Sequence, residues 1–355
     1  MGINDSALYL NLCNKLSADI KEAGYTNVYI DMLAYTWTLH PPVDQWGEGQ
    51  DQWKWMEIDD HVIVRYAAIS RCYAHDCDDT SCERNKEVIE YLKGWAQLTE
   101  NGNANLWIWD YNANWRSTCG PYMNLYALAH DVQYYESLGV SGVYLQSNDA
   151  HNRCNTEFGD LRNYLSVVLL ENPDADWQTE IQFFCHEFYG ESGQYIVQAL
   201  DIMETQAKNH AAGPNCTYNA WYHRGHCMTY DCTVKQVFAN AYPSDMDAHN
   251  RMPDDQIALC EYYWNKALEA AANDTAEHQY KTGRTHVCWR YVKSALKVYE
   301  FADTSSYRAK NKELFDDIFD TYKNEFFFIG IGGRKKAGAP YLDHTPDYWY
   351  YSNEG

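Results

Sequence analysis

The stretch Asn105-Leu-Trp-Ile-Trp-Asp-Tyr111, followed by the run 121–138 and then Gly142-Val-Tyr-Leu-Gln146, decides the fold. The two outer segments are short and rich in aromatic and β-branched residues, and they read as strands. Between them Pro121 opens an apolar run and Gly139 closes it, the arrangement expected of a helix with proline in its first turn and glycine just past its end. Short strands alternating with helices argue for a parallel α/β sheet.

The same alternation extends toward the N-terminus. Residues 27–35 (NVYIDMLAY) and 61–69 (HVIVRYAAI) read as two further strands, and 84–98 as the helix before the third. Leu8, Leu10, Leu12, Leu16 and Ile20 are spaced compatibly with one helical face across 7–23, and Gly24 stops that helix. The segment 36–60 is a long loop carrying Trp37, Trp46, Trp53 and Trp55, and loops of that length inside a domain are usually functional or disordered. From residue 156 the pattern turns helical, with helices expected over 157–170, 176–189, 194–209, 254–272, 286–301 and 307–328. Residues 211–250 read as an irregular insertion. The expectation is therefore an α/β region over 1–155, with strands near 27–35, 61–69, 105–111 and 142–146, and a mostly helical region over 156–355.

Composition narrows the function classes. Fifty acidic against 28 basic side chains in 355 residues give a net charge of -22, which a polyanionic duplex repels. No apolar window is long enough to span a bilayer. Neutral polymers remain, and 31 Tyr with 13 Trp supply flat amphipathic rings suited to stacking on sugars. Twelve cysteines, an even number, lean toward an oxidising compartment. Yet the start, Met1-Gly-Ile-Asn-Asp, carries neither the basic nor the apolar region of an export signal. Either the thiols are reduced in a cytosol, or the sequence begins downstream of its true start. There is no GxSxG elbow, HExxH, Walker loop or dinucleotide-binding glycine fingerprint, and no cofactor is called for.

Several motifs in fixed order carry a family resemblance. Ile30-Asp-Met-Leu-Ala-Tyr-Thr, Val64-Arg-Tyr-Ala-Ala-Ile-Ser-Arg-Cys-Tyr-Ala-His with Cys82, Leu106-Trp-Ile-Trp-Asp-Tyr, and Glu157-Phe-Gly-Asp-Leu-Arg-Asn-Tyr-Leu leading to Glu171-Asn-Pro-Asp-Ala-Asp resemble the bacterial domain of unknown function numbered 4838, over roughly residues 5–210. That family is similar to glycoside hydrolase family 163. The resemblance implies a (β/α)8 barrel with a helical C-terminal region, and endo-acting β-N-acetylglucosaminidase chemistry on N-glycans. It implies no metal. A closed barrel needs eight strands and four are legible, so the expectation is the second half of a TIM-like barrel. The parent protein would then supply the first half and the export signal, and would be extracellular or periplasmic. The alternative is an open sheet of four β/α units.

In such barrels the reacting groups stand at the carboxyl ends of strands, and glycoside hydrolysis needs a carboxylic acid. Asp110, flanked by Trp109, Tyr111 and Trp115, is the candidate carboxylate, and pairing with Arg71 is its structural alternative. Tyr35, Trp37, Trp109 and Trp115 are the candidate stacking surface, with Arg65, His75 and Gln146 as polar contacts. Asp31, in mid-strand, reads as a structural partner. Cys72, Cys77 and Cys82 surround His75 at a spacing unusual for zinc, which favours a disulfide-stapled loop, and no metal is assigned. His223, His226, Cys227 and Cys232, with Cys216 upstream, invite the same two readings. The rival to hydrolysis is a carbohydrate-binding or cell-surface protein that keeps the scaffold without the chemistry.

Overall fold

A computed structural model describes residues 5–42, 57–112, 122–147, 158–211 and 252–296. The chain opens with α1 (Asp5–Glu22) and β1 (Ile30–Tyr35), continues through β2 (Val62–Ala67), α2 (Glu83–Asn101), β3 (Asn105–Asn112), α3 (Leu125–Ser137) and β4 (Gly142–Ser147), and then runs through five helices. These are α4 (Gly159–Glu171), α5 (Trp177–Tyr189), α6 (Gly193–Ala211), α7 (Asp254–Ala271) and α8 (Ala276–Leu296). Among the described residues no helix is long and apolar enough to cross a membrane.

All four strands are parallel and lie in the order β1-β2-β3-β4. The expected strands are therefore present, each within a few residues of its reading. Gly24 and Gly139 adopt positive φ of 91° and 73° just beyond α1 and α3, where a side chain would be strained. The helix expected from 286 begins ten residues earlier, at Ala276, and the segment 307–328 lies outside the described residues, as does the insertion 211–250 apart from Ala211, which ends α6.

The register divides the sheet into two unlike faces. Met32 and Ala34 of β1, Val62, Val64 and Tyr66 of β2, and Leu106 and Ile108 of β3 share one face. They are buried in a single core with Ala7 and Leu10 of α1, Val88, Ile89, Leu92 and Trp95 of α2, and Tyr135 of α3. Each fully buried aliphatic or aromatic side chain here contributes about 1.5–3 kcal/mol. Trp95 is fully buried, and its Nε1 donates to the carbonyl of Leu39 (2.9 Å), which ties the segment after β1 to α2. Helices α1, α2 and α3 thus cover one side of the sheet, a singly wound arrangement.

The opposite face carries Asp31, Leu33 and Tyr35 of β1, Ile63 and Arg65 of β2, Trp107 and Trp109 of β3, and Tyr144 and Gln146 of β4. These side chains are half-buried or exposed. Only toward the carboxyl end, at Ala67 and Tyr111, does burial return, where Tyr111 meets Tyr73 edge-on at 6.5 Å. This second side is called the open face below.

The helical half forms a second core around Phe158, Leu161, Leu165, Cys185, Leu200, Met203, Trp264 and Trp289. This core is continuous with Ala67, Tyr73, Tyr111, Leu125 and Leu128 of the α/β part, and polar contacts tie the two parts together as well. The Glu204 carboxylate of α6 accepts from the Leu125 amide at the start of α3 (3.0 Å), and Asn112 at the end of β3 donates to Ser166 of α4 (3.0 Å).

Candidate functional site

The open face gathers four of the residues expected to bind substrate. Trp109 and Tyr144 meet edge-on with centroids 4.9 Å apart, and the Trp109 indole Nε1 donates to Gln146 Oε1 (2.8 Å). Arg65 lies in the same layer, its guanidinium 5.1 Å from the Trp107 ring centre and 6.0 Å from that of Trp109. Its Nε donates to Asp31 Oδ1 (3.2 Å), and a second guanidinium nitrogen pairs with Oδ2 of the same carboxylate. Tyr35 stands at the end of β1 on this face. The arrangement presents ring faces and edges beside a carboxamide, a guanidinium and a carboxylate, a combination that binds polyhydroxylated rings through stacking and hydroxyl hydrogen bonds.

Trp37 stands beyond the end of β1 and is 86% exposed. It follows Thr36, a β-branched residue held at φ 49°. Such a conformation costs on the order of 1–3 kcal/mol and is concentrated at functional positions. The Thr38 hydroxyl donates to the Leu33 carbonyl and accepts from the Tyr35 amide (3.0 and 3.1 Å), so the short turn holding Trp37 is fixed by its own polar groups. Trp115 lies outside the described residues.

Asp110 is placed differently from its expected position at the sugar. Alternation along β3 turns it to the helix-covered side, away from Trp109, and only 3% of it is exposed. Its Oδ2 accepts from Arg71 Nη2 (3.0 Å) and from the Tyr135 hydroxyl (2.7 Å), and its Oδ1 from the Tyr111 amide (3.0 Å). The same Arg71 nitrogen donates to Asp131 Oδ2 (2.5 Å), and Asp131 Oδ1 accepts from the Cys77 amide (2.6 Å). Burial opposes ionisation of Asp110, but the Arg71 charge and hydrogen bonds from Arg71, Tyr135 and Tyr73 hold its pKa below the usual carboxylate value. Asp131 goes the other way. Burial pushes it up to about 6, with Arg71 pulling it back and the Asp110 charge adding to the rise.

The ion pairs tie Arg71, in the loop after β2, to Asp110 of β3 and Asp131 of α3. The cleft beside them, lined by Arg71, Tyr73, Asp110, Asn112, Asn124 and Asp131 among others, has room for about 10 Å³, on the order of a single water. Ligand sites are typically ~300–1,000 Å³. Among the described residues the carboxylate on the open face is Asp31, which the sequence assigned to a structural role.

His75 is also away from the open face. It is 4% exposed and lies with Cys72 and Cys82, the three ligand atoms within 4.8 Å of one another. Among the described residues no two cysteines are joined as a disulfide, so the stapled loop expected from the cysteine spacing is absent there. The cluster of Cys216, His223, His226, Cys227 and Cys232 lies outside the described residues.

The profile of a domain of unknown function, DUF4838, matches residues 1–201. The chain belongs to the DUF4838 family. The match covers β1 to β4 and extends into α6, so the open face and the loop after β2 are both family territory. No curated protein and no solved structure matches the chain.

Proposed function

We propose that this DUF4838 protein contacts a glycan through the open face, as the inner wall of a glycoside hydrolase-like (β/α)8 barrel. The observation that carries this reading is a parallel sheet with α1, α2 and α3 on one side and, on the side that carries no α-helix of β1–β4's own crossovers among the described residues, Trp107, Trp109, Tyr144, Arg65 and Gln146. Sequential parallel strands with helices on one side only are the topology of a barrel wall, and four are half of what closure needs. Aromatic and amide groups on the inner wall match the chemistry of a sugar ring. The resemblance to glycoside hydrolase family 163 supports N-acetylglucosamine-containing glycans as the ligand class and an exported parent protein.

Hydrolysis on this wall would draw its acid from a carboxylate reaching the open face, and Asp31 is the described group in that position. Binding without cleavage is the second reading. It is favoured by the pairing of Asp31 with Arg65, which engages both oxygens of the carboxylate. Incubation of the full chain with N-glycans and with oligomers of N-acetylglucosamine, followed by calorimetry and mass spectrometry, tests both. Binding with product formation supports the hydrolase reading. Binding with intact glycan supports the second, and no binding overturns the proposal.

A further inference from the structure

The segment after β2 holds a soft-ligand cluster that the glycan reading does not use. Cys72, His75 and Cys82 are all buried, their sulfur and imidazole atoms lie within 4.8 Å of one another, and Cys72 Sγ is 3.3 Å from His75 Nδ1. Tetrahedral zinc with bonds of about 2.3 Å to sulfur and 2.0–2.1 Å to nitrogen sets its ligand atoms roughly 3.5–3.8 Å apart.

The local fold supports these three groups in place. Two consecutive turns, Asp79 N–H to Asp76 O (3.0 Å) and Cys82 N–H to Asp79 O (3.1 Å), bring Cys82 back beside the Cys72–His75 pair. Asn85, fully buried on α2, accepts from the Cys72 amide (2.8 Å) and donates to the carbonyls of Cys72 (3.1 Å) and Asp76 (2.9 Å). A buried asparagine fixing the backbone around two ligands is the second-layer support that metal sites need. Cys82 stands at the N-cap position of α2.

We propose that Cys72, His75 and Cys82 form a zinc site that ties the loop after β2 to the start of α2. Two thiolates and one imidazole select a soft divalent ion such as zinc over calcium or magnesium. The two thiols lose their protons to solvent on binding, and no redox change is involved. The site lies in the segment after β2 and uses none of the open-face side chains, so the proposal is independent of glycan binding.

The test uses the full chain purified under reducing conditions and loaded with zinc or cobalt. Elemental analysis should give one zinc more per chain than the Cys72→Ser/Cys82→Ser variant, and the cobalt form should show a thiolate charge-transfer band. His75→Cys should keep the metal and strengthen that band, which a merely structural histidine would not do, and Cys185→Ser should leave it unchanged. A wild-type chain with no cobalt–thiolate band overturns the proposal even if the serine variants fail to fold. So does a Cys72–Cys82 disulfide found by alkylation and mass spectrometry, or equal zinc content in folded wild type and double variant.

Discussion

Trp109 and Asp110 are consecutive in β3 and lie on opposite sides of the sheet. Trp109 shares the open face with Tyr144 and Gln146, while Asp110 is buried among Arg71, Tyr135 and Asp131 behind it. Substitutions at the two positions should therefore fail in different ways. Trp109→Ala should weaken glycan binding with little change in melting temperature, and Asp110→Asn should leave binding intact while lowering stability. Calorimetry of binding and of unfolding on the two variants checks the separation.

The Arg71 cluster holds two carboxylates against one guanidinium. Removing the cation leaves both acids without it, whereas removing one acid leaves a neutral pair. Arg71→Met should cost about 3–5 kcal/mol, the usual penalty for breaking a buried ion pair from one side. Asp131→Asn should cost much less. Denaturant titrations of both variants give the comparison, and equal losses would contradict the cluster's charge balance.

Stability should fall as pH rises through the neutral range. Burial pushes Asp131 up to about 6 and Glu204 up to about 7, the hydrogen bond from Leu125 pulling Glu204 back only in part. Both pKa values lie above those of the unfolded chain, so the folded state binds more protons between roughly pH 4 and 7. Each group's contribution is present below its unfolded pKa and is lost as pH climbs through the folded one. Melting temperature should be higher near pH 5 than near pH 8, and Glu204→Gln should flatten the slope.

Gly142 pairs with Trp107 across β3 and β4, and a Cβ at this position would meet the indole at 2.9 Å. Gly142→Ala should push Trp107 outward from the open face. A shifted tryptophan emission and weaker glycan binding are the expected readouts, with the four-stranded sheet retained.

Much of the architecture was legible before any coordinates. The strands stand out because each is a short aromatic or β-branched run, and Gly24 and Gly139 mark helix ends through the positive φ they adopt. The start of α8 was hidden because Ala276 to Arg284 is polar, without an apolar stripe. Asp110 shows a different limit. Its neighbours in sequence are aromatic, but strand periodicity places Trp107, Trp109 and Tyr111 on one face and Leu106, Ile108 and Asp110 on the other. That period was the available signal, and it separates chain adjacency from spatial adjacency. The sequence grouped Cys72, Cys77 and Cys82 around His75, but it did not show that two turns bring Cys82 back to Cys72 and His75 while Cys77 stays outside the group.

The open face as a glycan-binding wall is tested most directly by one titration. N-acetylglucosamine oligomers are titrated into wild-type protein and into the Trp109→Ala/Tyr144→Ala variant, with unfolding curves confirming that both are folded. Each aromatic contact is worth about 0.5–1.5 kcal/mol, so the double variant should bind roughly fivefold or more weakly. Equal affinity in the two proteins would contradict the account.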